Sequence, residues 1–286
     1  MKRLFLLLVL CAFLTPAYGQ IAVKLNIGRR IHLLNEPVLA TVSVTNNSGR
    51  ELMLADADLG QWFSFTITGR DGRNLPPRDP NYSVAPLSLQ PGETVKRTVN
   101  LNELYTLTEY GLHKVRANIF HAGMNKYFGS NADNLELTEG RQISKQTVGV
   151  PEGAGDETRS YALLTLDSGE GRNLYVRISG SDGVVYGCYS LGKLFEGSRP
   201  ETQLDAANNL WILQFAGQRN YLLSRIGVNG DFQAQSTYVT PKSKPYLRKL
   251  EDGTLQLVGA VRQERVATEN APPIPKLSDR PAGLPQ

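Results

Sequence analysis

Cysteine, histidine, tryptophan and methionine are all scarce: two, three, two and three in 286 residues. Of the cysteines, Cys11 lies in an N-terminal stretch expected to be removed, which leaves Cys188 alone and excludes an intramolecular disulfide in the mature chain. A chain of this size can bury enough apolar surface without one. His32, His113 and His121 form neither an H-x-x-x-H nor an H-E-x-x-H pair, so the common zinc signatures are missing. Glycine-rich phosphate loops of the G-x-G-x-x-G or G-x-x-x-x-G-K-[ST] type are also missing, as is the G-x-S-x-G nucleophile elbow. These absences remove the easily recognised nucleotide-binding, zinc and serine-hydrolase readings. No segment of twelve residues carries a clear helical stripe.

The one long apolar run is N-terminal. Lys2 and Arg3 precede Leu4 to Leu14, and Ala17-Tyr18-Gly19 places small residues three before and one before a cut that would leave Gln20 first. That is the anatomy of a secretory signal peptide over residues 1–19. The run is too short for a membrane span, which needs about twenty residues. Lipidation at Cys11 is the alternative, but Leu10 is not the small residue a lipobox requires. The chain is therefore expected to be exported, to a bacterial periplasm or cell surface, and not to be an integral membrane protein. Two of its 31 basic residues and none of its 27 acidic ones leave with the signal, so the net charge falls from +4 to +2. That balance gives no reason to expect nucleic acid. The most basic local run, Lys242, Lys244, Arg248 and Lys249, reads as a solvated strand edge.

Residues 20–150 read as short strands separated by polar turns. Val38 to Thr45 alternates and is closed by Asn46-Asn47-Ser48-Gly49. Phe63, Phe65 and Ile67 share one face of the next strand, with Trp62, Ser64, Thr66 and Thr68 on the other. Leu75 to Tyr82 holds three prolines and reads as a loop, and Leu101 to Leu107 has room for one helical turn. Leu112, Val115, Ala117 and Ile119 are candidate core residues of a later strand, and Ile143 to Val148 closes the unit. This pattern predicts a β-sandwich. Residues 151–158 read as a linker, and residues 264–286, with five prolines, as a disordered tail.

Residues 159–263 repeat weakly. Asn173-Leu174-Tyr175-Val176 recurs as Asn209-Leu210-Trp211-Ile212, and Leu210 and Leu255 stand 45 residues apart. Such periods are those of propeller blades, but only about two and a half units fit, whereas a closed ring takes about four to eight.

The first unit resembles bacterial immunoglobulin-like sandwiches, including the BsuPI-type proteinase inhibitor domain. The resemblance is carried by Glu36-Pro37-Val38, Asn46-Asn47-Ser48, Phe65-Thr66-Ile67, Asp71-Gly72-Arg73, Leu89 to Glu93 and Gly111 to Ala117. It implies strand and turn positions and no functional residues, because the inhibitor family's aromatic-rich middle segment is replaced here by the proline-rich loop. The expected fold is therefore all-β: an immunoglobulin-like β-sandwich plus a second β-domain of propeller-blade-like antiparallel sheets.

Chemistry is harder to find. Cys188 sits in an apolar strand far in sequence from any histidine and reads as a small buried residue. The histidines read as surface or turn residues, and Asp56 and Asp58 as a solvated loop. Asp71, Asp182, Asp231 and Asp252 stand beside glycine, where turn geometry favours them. The modest binding signal is aromatic: Trp62, Trp211 and Tyr175 are the candidate ligand or partner contacts, with Trp62 expected nearest the surface. No catalytic residue, metal ligand or cofactor is assigned. The expectation is a non-catalytic binding or structural protein with a protein or carbohydrate partner. The alternatives are a proteinase inhibitor acting through sandwich loops, and a carbohydrate-active enzyme using carboxylates of the repeat domain.

Overall fold

Alternation of inward and outward positions builds the principal strands of the first half, such as Leu39–Asn46 and Phe63–Thr68. The structure, a computed structural model, describes residues 20–58, 60–151, 157–169, 171–241 and 243–263. The signal segment, the proline-rich tail and residues 152–156 of the expected linker lie outside these residues. Among the described residues no helix is long and apolar enough to cross a membrane.

The first half contains β1 (Ile21–Asn26), β2 (Ile31–Leu33), β3 (Leu39–Asn46), β4 (Leu52–Leu54), β5 (Phe63–Thr68), β6 (Leu87–Leu89), β7 (Thr94–Asn100), β8 (Gly111–His121) and β9 (Lys126–Thr138). They form one sheet in the order β1-β3-β7, another in the order β2-β9-β8-β5, and the small pair β4-β6. All pairings are antiparallel except β2 with β9. The inward positions of β3 (Ala40, Val42, Val44) and β5 (Phe63, Phe65, Ile67) meet Val115, Ala117 and Ile119 of β8 in one continuous core. Polar residues end the strands. Asn46 at the end of β3 is fully buried; its amide donates to Leu89 O at 2.9 Å and Arg50 O at 2.6 Å, which fixes the turn that follows. The expected helical turn is α1 (Leu101–Leu104), capped by the Asn100 side chain, which accepts from Asn102 N at 3.2 Å.

One inward assignment and the placement of the histidines need correcting. Leu112 is 45% exposed, and His113, one residue on, takes the inward position at 1%. The phase set by Val115, Ala117 and Ile119 runs through residue 113, and a one-residue slip exchanges the two faces. All three histidines are buried rather than surface residues. His121 accepts from Met124 N at 3.1 Å and so caps a single 3-10 turn.

The second half contains β10 (Arg141–Gly149), β11 (Thr158–Ser168), β12 (Gly171–Gly180), β13 (Val185–Lys193), β14 (Glu201–Leu204), β15 (Leu210–Phe215), β16 (Asn220–Ile226), β17 (Phe232–Val239), β18 (Tyr246–Lys249), β19 (Leu255–Val258) and β20 (Val261–Arg262). Strands β10 to β13 form a four-stranded meander; β14 to β17 form another, extended by β20; β18 and β19 make a hairpin. The segment expected to close the first unit, Ile143 to Val148, lies in β10, which pairs with β11. Val150 N donates to Glu157 O at 2.9 Å, so the stretch read as a linker joins two paired strands. The change from the first set of sheets to the second therefore falls at Gly140, between β9 and β10.

The β10–β13 sheet is covered on both faces. Tyr161, Leu163, Leu174, Val176 and Ile178 pack on Leu210, Ile212 and Ile226 of the next sheet. Leu164, Leu166, Tyr175 and Cys188 pack from the other face on Leu33 of β2. This double coverage explains the unbroken buried run Leu174-Tyr175-Val176. Gly140 holds the junction close: its φ is +75°, and a Cβ there would lie 2.6 Å from Leu33 Cδ2.

Candidate functional site

A cavity lies at one end of the β10–β13 sheet. Arg141 begins β10, Asp167 is near the end of β11, Arg172 near the start of β12, and Lys193 ends β13. Antiparallel pairing brings these four strand ends together: Asp167 faces Arg172, and Asn173 faces Lys193. The chain then crosses this end of the sheet through residues 194–200 to reach β14. Leu194 N donates to Arg172 O at 2.8 Å, and Ser198 N and Oγ both donate to Phe195 O, which fold the crossing segment into a turn. Between sheet end and crossing segment is a cleft of about 950 Å³.

Its lining mixes basic and acidic side chains with apolar ones, among them Ile143, Leu163, Leu194 and Phe195. Arg141, Arg172, Lys193 and Arg199 face Asp167 and Glu196. Asp167 accepts from Arg172 Nε at 2.7 Å and from Nη2 at 3.3 Å, so these two charges answer each other. The hydrogen bond from Arg172 holds the Asp167 carboxyl below its ordinary value. Arg141 also acts on Asp167 and Glu196 on Arg172, and the four cations of the lining outnumber its two carboxylates. Ile143 contributes an apolar contact. It is the extra residue of a bulge between Gln142 and Ser144 on the edge strand β10, and it is 40% exposed. Phe195 forms the far wall, its ring stacked edge-on against Phe215 at 5.4 Å.

A second polar cluster joins the two halves. Arg29, between β1 and β2, donates to Tyr175 Oη at 2.6 Å and pairs with Glu36. Glu36 also accepts from Leu33 N at 3.0 Å. Burial raises the Glu36 carboxyl against the pull of Arg29. Burial, with the Arg29 charge beside it, lowers His32 to about 4, and its Nε2 bonds Arg29 O at 3.0 Å. The nearby pocket, about 270 Å³ between Glu36, Pro37, Tyr189, Ser190 and Phe232, is smaller, and its carboxylate is already partnered.

The three aromatic candidates do not converge. Trp62 is fully buried, its Nε1 donating to Val84 O at 2.8 Å, because the proline-rich loop folds over the strand start. Tyr175 is also fully buried, its hydroxyl accepting from Arg29. Neither offers a surface contact in this structure. Trp211 is half-buried, donates through Nε1 to Asp205 at 3.0 Å and has the Arg225 guanidinium over its ring at 5.5 Å. Cys188 is buried and its thiol is pushed up to about 11, which keeps it protonated and poorly nucleophilic at neutral pH. Asp56 is occupied in holding the chain: it accepts from Trp62 N at 2.9 Å and Ser83 Oγ at 2.5 Å. Among the described residues, no three His, Cys, Asp or Glu side chains group as a metal site would require.

The basic cleft had no signature in the sequence. Its cations come from four separate places in the chain, and their assembly is a product of strand register.

No family model matches this chain, and no curated protein matches it. Among solved structures it is similar to Spo0M, a sporulation control protein from Bacillus subtilis, at 13% identity over 69% of this chain and 91% of that one. The TM-score is 0.28, too loose an agreement to bear on fold family or function.

Proposed function

We propose that this is an exported, non-catalytic binding protein that takes an anionic ligand in the cleft under residues 194–200. The supporting observation is the excess of Arg141, Arg172, Lys193 and Arg199 over Asp167 and Glu196 in a cleft of about 950 Å³. These cations are exposed, so their pull on an anion comes from several like charges around one concave surface, and salt should weaken it. Asp167 is held ionised by its hydrogen bonds from Arg172, which suits a charge-balancing role in a binding cleft.

The finer fold reading belongs with this proposal. In the first half, β1 pairs with β3 while β2 crosses to pair in parallel with β9, which favours an immunoglobulin-like arrangement. The two consecutive four-stranded meanders favour blade-like repeats stacked face to face.

The test is titration of the chain beginning at Gln20 with polygalacturonate, polyglutamate, inorganic phosphate and neutral dextran. At least one anion should bind, more weakly as salt rises, and dextran should not. Equal binding of dextran, or no binding of any anion, would overturn the proposal.

A further inference from the structure

We infer that the ligand is a linear acidic polysaccharide, long enough to pass from the main cleft over Arg199 into a second cavity. This rests on the anion-binding reading of the cleft and adds the class and length of the ligand.

The second cavity, about 200 Å³, shares Gly197, Ser198 and Arg199 with the first. Residues 197–199 therefore form a saddle with a hollow on either side. A further cation, Lys244, lines the far hollow. The carboxylate there, Glu201, is engaged with its own chain and accepts from Leu247 N at 3.0 Å. Cations thus stand on the near side, on the saddle and on the far side. A small anion seated in one cavity leaves the cations of the other unmet, whereas a chain carrying a charge on successive units can meet cations in both.

Aromatic rings follow the same path. Phe195 lines the first cavity; Phe215 and Tyr221 line the second. Their rings stack edge-on in sequence, at 5.4 Å and 5.5 Å. Gly217 permits the close seating of Phe195, since a Cβ there would lie 3.0 Å from its ring. Tyr221 is buried and backs the row, while Phe195 and Phe215 are half-buried; their exposed surface suits the C–H faces of pyranose rings, and the cations suit the carboxylates those rings carry. An extended acidic peptide would instead seek the unpaired backbone of the edge strand β10. The bulge at Ile143 interrupts that edge where it meets the cleft, and bulges at sheet edges disfavour strand addition.

The experiment is calorimetric titration with galacturonate as monomer, dimer, tetramer and octamer, with polyglutamate of matched charge alongside. Affinity should rise at least tenfold from monomer to tetramer and then level. Lys244→Ala should shrink the tetramer-to-monomer ratio several-fold, with an unchanged circular dichroism spectrum as the check on folding. Equal affinity for monomer and tetramer, or polyglutamate binding as tightly as the glycan, would overturn the inference and leave the anion-binding cleft standing. Failure of every anion would overturn both.

Discussion

The two halves solve the same packing problem differently. The first closes its sheets around one continuous core that runs from Ile21 through Trp62 to Leu137. The second divides its apolar residues among three smaller clusters: one between its meanders, one against β2, and one around Leu213, Leu223 and Leu247. A continuous core leaves little room for a ligand within it. A divided one leaves space at the edges of its clusters, and both cavities flanking residues 197–199 lie in the second half. The first half has a hollow of its own, about 400 Å³, but its lining is the turn residues Asn46, Asn47, Gly49, Pro91 and Gly92 and carries no cation.

Core truncation should separate the halves most strongly. Trp62→Ala removes a fully buried ring and strands the Val84 carbonyl. It should cost about 4 kcal/mol in denaturant unfolding, whereas Leu223→Ala in the small cluster should cost about 2 kcal/mol. Equal costs would break the contrast.

The junction between the halves should be acid-sensitive. His32 titrates near 6.5 when exposed and at about 4 when folded, so between these values the unfolded chain binds more protons and stability falls as pH falls. The groups facing it are Arg29 and Glu36. Glu36 is raised by burial and acts with the opposite sign, its contribution being lost as pH rises through its folded value. A comparison with His32→Gln isolates the histidine. The native chain should lose about 3 kcal/mol more than the variant on going from neutral pH to pH 4. Parallel stability curves for the two proteins would refute this.

Gly140→Ala tests how tightly the halves are joined. The left-handed backbone and the contact with Leu33 should together cost about 2 kcal/mol in unfolding stability. An unchanged melting temperature would show that the junction is loose. Smallest of all should be the stability effect of Arg199→Ala, within about 0.5 kcal/mol, because its side chain is exposed on the crossing segment. The same variant should weaken anion binding several-fold, since the guanidinium lines both cavities.

How much of this was legible in the sequence follows from the same division. Alternation in β3 and β5 identified their inward faces, because a sheet with one buried face writes its pattern directly into the chain. The pattern fails where both faces are covered, as at Leu174-Tyr175-Val176, and Tyr175 therefore passed for a candidate contact. Trp62 was misjudged because its burial depends on a loop some twenty residues later. The basic cleft was not legible at all. Arg141, Arg172, Lys193 and Arg199 acquire a shared role only when antiparallel register and one crossing segment bring strand ends to the same place. Lys244, read as part of a solvated edge, gains its position beside the second hollow in the same way.

The most direct measurement of the central claim is hydrogen–deuterium exchange of the chain with and without polygalacturonate. The account predicts slowed exchange in residues 194–200 and in the adjoining ends of β10, β12 and β13, with the first half unchanged. Protection confined to the first half, or none anywhere at saturating polymer, would contradict it.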